Sequence, residues 1–74
     1  MLVINESYPF WQLSYAITLN KNYAGHYIKL IGGLNGWHYL LIKANGCARL
    51  INTAGEEMEP HPNEMFIVAD IDNI

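Results

Sequence analysis

A chain of 74 residues makes one domain, and at this length folding buries only about 60% of the surface that the unfolded chain exposes. Four Lys and Arg against seven Asp and Glu leave a net charge of −3, which excludes the basic footprint that duplex nucleic acid requires. One cysteine and no clustered Cys/His spacing offer neither disulfides nor a structural metal as reinforcement. With 51% hydrophobic residues, self-association as a homodimer is the expected source of additional burial.

Met1-Leu-Val-Ile lacks the basic start of a secretory leader, and Pro9 and Gln12 interrupt the apolar run that follows. No stretch approaches a membrane span, and a single thiol suits a reducing compartment, so the expectation is a cytoplasmic protein without membrane association.

Leu2 to Ile4 read as a short edge strand. From Trp11 to Asn20 apolar and polar residues alternate, with Trp11, Leu13, Tyr15, Ile17 and Leu19 on one side, which predicts a half-buried strand preceded by Pro9. Asn20-Lys21-Asn22 reads as a turn and Gly25 to Ile31 as a second strand. Gly32-Gly33-Leu34-Asn35-Gly36 is dense in turn formers and lacks the Lys-Ser/Thr of a phosphate-binding loop.

Trp37 to Ala44 and Cys47 to Thr53 flank Asn45-Gly46, the dipeptide best suited to a type I′ hairpin turn. That turn sets Ala44 opposite Cys47 and Leu41 opposite Leu50. Gly55 through Asn63, with Pro60 and Pro62, reads as a loop holding at most one helical turn at Glu56 to Glu59, and Met65 to Ile71 as the last strand.

The expected fold class is therefore all-β: residues 1–74 as a single small antiparallel barrel or sandwich of SH3-like or OB-like size, with five to six short strands around the Asn45-Gly46 hairpin. The alternative is α+β, with an N-terminal helix around residues 9–20 capped at Ser7 and opened by Pro9.

The hairpin register separates a face bearing Leu40, Ile42 and Ile51 from one bearing Trp37, Tyr39, Leu41 and Leu50. Pairing Ile31 with Trp37 adds Ile28 and Leu30 to the first face, the expected core, and Tyr27, Lys29 and Ile31 to the second. The second face is then aromatic with Lys29 and Lys43 at its margins, and Tyr and Trp favour interaction surfaces because they offer large contact area at little rotamer cost.

These features predict a non-enzymatic protein-binding module. It would be a small inhibitor or accessory protein that covers a partner surface through Tyr27, Lys29, Trp37, Tyr39 and Lys43, with Glu56, Glu57 and Glu59 as an acidic second contact. One alternative is a single-stranded nucleic-acid-binding β-barrel, with bases stacked on the rings and the lysines following the backbone. A catalytic or metal-dependent domain would use Cys47 or the histidines His26, His38 and His61. Their spacing matches no ligand motif, so no cofactor or metal is expected.

Overall fold

The computed structural model describes residues 2–19 and 27–72. Its elements run β1 (Ser7–Pro9), α1 (Phe10–Leu19), β2 (Tyr27–Gly32), β3 (His38–Ala44), β4 (Cys47–Asn52), β5 (Glu57–Met58) and β6 (Met65–Ile71). The strands form one antiparallel sheet ordered β1-β6-β2-β3-β4-β5, with β1 and β5 at its edges. No helix among the described residues is long and apolar enough to cross a membrane.

The antiparallel sheet of six short strands and the central hairpin are as expected. Asn45 and Gly46 have φ of 53° and 80°, and they join β3 to β4 with Ala44 opposite Cys47 and Leu41 opposite Leu50. Residues 20–22 and the start of the second predicted strand, Gly25-His26, lie outside the described residues.

The segment read as an alternating strand is the helix α1, so the α+β alternative holds at this point. The residues alternating from Trp11 to Leu19 contain two helical series. Leu13 and Ile17 are fully buried one turn apart, while Trp11, Tyr15 and Leu19 are 54%, 62% and 65% exposed along the opposite stripe.

Ser7 does not cap this helix, because it belongs to β1. The first amides find partners across the fold instead: Phe10 N donates to Glu64 O at 2.9 Å and Trp11 N to Pro62 O at 3.0 Å. At the other end Lys43 Nζ donates to Thr18 O at 3.2 Å, placing a cation against the unsatisfied last turn.

The edge strand expected at Leu2 to Ile4 forms instead at Ser7–Pro9, where Pro9 pairs with Met65 without an amide to lose. Leu2 is in the core. The helical turn allowed at Glu56 to Glu59 is the short strand β5, held to β4 through Leu50 and Ile51.

The core lies between α1 and one sheet face. Leu13 and Ile17 meet Ile28 and Leu30 of β2, Tyr39 and Leu41 of β3, Leu50 of β4, and Phe66 and Val68 of β6. Phe66 packs edge-on against both Tyr39 and Phe10, with ring centroids 5.4 and 6.2 Å apart.

Helix and strand readings of residues 11–19 differ sharply in energetics. Leu13→Ala should cost about 2–5 kcal/mol in denaturant unfolding and Tyr15→Ala no more than about 0.5 kcal/mol, whereas a strand would place both on one face and penalise them alike.

Candidate functional site

The β2–β3 turn decides which side chains reach solvent. β2 continues through Gly32, whose N donates to Trp37 O at 2.8 Å, so Ile31 pairs with His38 rather than with Trp37. The one-residue difference transfers every β2 side chain to the other face relative to β3. Ile28 and Leu30 join Tyr39 and Leu41 in the core, while Tyr27, Lys29 and Ile31 join Leu40, Ile42 and Ile51 on the outer side.

Close approach at Gly32 accounts for that extra strand residue. A Cβ there would run into the Asn35 side chain and come within 3.2 Å of the Tyr39 ring. Asn35 uses the space to brace the turn, accepting from Trp37 N at 2.8 Å and donating to Tyr39 Oη at 3.0 Å.

Ile31, Leu40, Ile42 and Ile51, together with Ile67 of β6, are half-buried by one another. Among the described residues no helix or second sheet lies over them. A solvated antiparallel face ordinarily carries polar residues, and this one also carries at least one aliphatic residue on each of β6, β2, β3 and β4.

A shallow cavity of about 200 Å³ opens on this face between Lys29, His38, Leu40, Ile51, Asn52 and Thr53. Lys29 Nζ stands 5.8 Å from the Tyr27 ring centroid, a contact worth about 0.5–1 kcal/mol at an exposed site. Arg49 Nη1 bonds Glu57 Oε1 at 2.6 Å near the β4–β5 edge; both side chains are substantially exposed, so the pair adds at most about 1 kcal/mol.

The residues predicted as a docking surface are thus divided. Tyr27 and Lys29 lie on the outer face. Tyr39 is 8% exposed and belongs to the core, a correction that follows from the turn register. Lys43 points to the helix side, so the two lysines do not flank one surface. Trp37 is 65% exposed at the end of the β2–β3 turn.

Of the acidic residues, Glu57 is on the outer face beside Ile51, Glu59 is exposed, and Glu56 closes the β4–β5 turn, where its N donates to Asn52 Oδ1 at 2.9 Å. The chemistry-bearing residues are not gathered either. Cys47 is exposed beside the hairpin turn, and His38 lies six residues from the Ala44 that faces it, roughly 20 Å along the strand. His61 Nδ1 accepts from Asn63 N at 3.1 Å in the loop before β6, and His26 lies outside the described residues. His38 faces Ile31, the residue that the sequence register pairs with Trp37.

The sequence reading missed the exposed helix stripe of Trp11, Tyr15 and Leu19, whose signal was the i, i+4, i+8 spacing inside the alternating run. It named Leu40, Ile42 and Ile51 but expected them inside. No family model, curated protein or solved structure matches this chain.

Two ring substitutions separate core from surface. Tyr39→Ala should cost about 3–5 kcal/mol by thermal or chemical unfolding, and Trp37→Ala should remain within about 0.5 kcal/mol of the parent.

Proposed function

We propose that this chain is a non-enzymatic protein-binding domain that docks through the outer face of its sheet and acts, as a small inhibitor or accessory protein does, by covering a partner surface. The observation that carries the reading is the aliphatic set Ile31, Leu40, Ile42, Ile51 and Ile67, left without a covering layer among the described residues. Apolar area of this kind gains about 25 cal/mol per Å² when it is removed from water, and a partner protein is the means of removing it.

Tyr27 adds an aromatic body with a polar tip, and Lys29, Arg49 and Glu57 supply a charged surround. Glu57 is the acidic contact on this face, whereas Glu59, in the loop that follows β5, lines a cavity with the core residues Tyr39, Leu50 and Phe66. The single thiol suits a reducing compartment, so the reading includes a cytoplasmic location.

Single-stranded nucleic-acid binding is the less favoured reading. It required Lys29 and Lys43 to flank stacked rings on one surface, and these lysines lie on opposite sides of the sheet while Tyr39 is internal.

A photo-crosslinking residue placed at Ile42, with a control at the exposed Ala54 of the β4–β5 turn, tests this in cells that naturally make the protein. Position 42 should yield a discrete adduct, with this chain or another, and position 54 should not. Absence of any adduct from position 42, or equal adducts from both, would contradict the reading.

A further inference from the structure

We propose that the occupant of the outer face is a second copy of this chain, packed sheet to sheet about a two-fold axis; the inference rests on the docking-face reading and names its partner. The first argument is charge. The outer face carries Lys29 and Arg49 against Glu57 and Asp70, with Asp72 opposite Tyr27 at its end, so most of the net charge of −3 belongs to the remainder of the chain. Two copies repel mainly through their other surfaces and meet through this one with little of that penalty.

The second argument is the placement of the apolar residues. They straddle the boundary between β2 and β3, the midpoint of the order β1-β6-β2-β3-β4-β5. A two-fold axis lying along that boundary sets β2 on the partner's β3 and β6 on the partner's β4. Tyr27 then meets the partner subunit's Ile42, and Ile42 meets the partner subunit's Tyr27. The same operation brings Asp70 of β6 to the level of the partner's Ile51, two residues along β4 from the partner's Arg49. Sheets packed in this way stand about 10 Å apart, with their side chains interdigitated.

Lys29 is the group least suited to burial, and its surroundings answer the problem. Its ammonium lies 5.8 Å from the Tyr27 ring centroid, and Asp70 is its register partner on β6, so a ring face and a carboxylate accompany the charge. Sheet extension is the less suitable route to a dimer, because the outermost strands are a three-residue strand ending in Pro9 and a two-residue strand holding Glu57.

Sedimentation equilibrium over a dilution series of the full chain reads the outcome. The parent should weigh twice the 8.4 kDa of one chain and fall toward that value on dilution. Ile42→Glu and, separately, Leu40→Lys should remain at the monomer mass with an unchanged circular-dichroism spectrum, and Leu19→Glu on the helix stripe should still dimerise. A parent monomeric throughout, a dimer that survives both sheet substitutions, or one lost through Leu19→Glu would overturn the proposal. A monomeric parent that still gives an adduct with a different protein from position 42 would leave the docking face standing and remove self-association alone.

Discussion

A sheet has two faces, and the ten-residue helix α1 covers one of them. Leu13 and Ile17 fill the inner side, and every other property of the surface follows from which strand residues they meet. At about 1.5 Å per residue the helix is some 15 Å long, enough to lie over β3 and β4 and to reach Glu64 at one end and Lys43 at the other. Nothing comparable among the described residues lies on the far side. The chain therefore stabilises itself with half of its apolar sheet and presents the other half, which is why a domain this small combines a well-formed core with an aliphatic exterior.

The hairpin between β3 and β4 was legible because its turn chemistry is local. Asn tolerates and Gly readily adopts the positive φ that the turn demands, and a two-residue loop admits a single register. The β2–β3 connection has no such uniqueness in sequence. Four turn-forming residues among the five from Gly32 to Gly36 permit β2 to end at Ile31 or at Gly32, and the choice is made by Asn35 folding its side chain over a position that has none. One residue of difference exchanged the faces of β2, sending Tyr39 inward and leaving Ile42 and Ile51 outside.

The helix was obscured for another reason. Residues spaced by two contain residues spaced by four, so Trp11, Leu13, Tyr15, Ile17 and Leu19 satisfy a strand pattern while supplying both an inward pair and an outward stripe on a helix. Tertiary partners decide between the two. The amides of Phe10 and Trp11 are satisfied by carbonyls more than fifty residues away, a contact that local propensity does not reveal. The proposed docking face was accordingly recognisable as an apolar set in the sequence, and its position outside the core was not.

The central claim is that the helix packs on the side of the sheet bearing Ile28, Leu41 and Leu50 and leaves the side bearing Leu40, Ile42 and Ile51 free of it. Methyl-to-methyl nuclear Overhauser effects from Leu13 and Ile17 test this most directly. Cross-peaks should connect these two residues to methyls of Ile28, Leu30, Leu41, Leu50 or Val68. Cross-peaks to Leu40, Ile42 or Ile51 in their place would contradict the account.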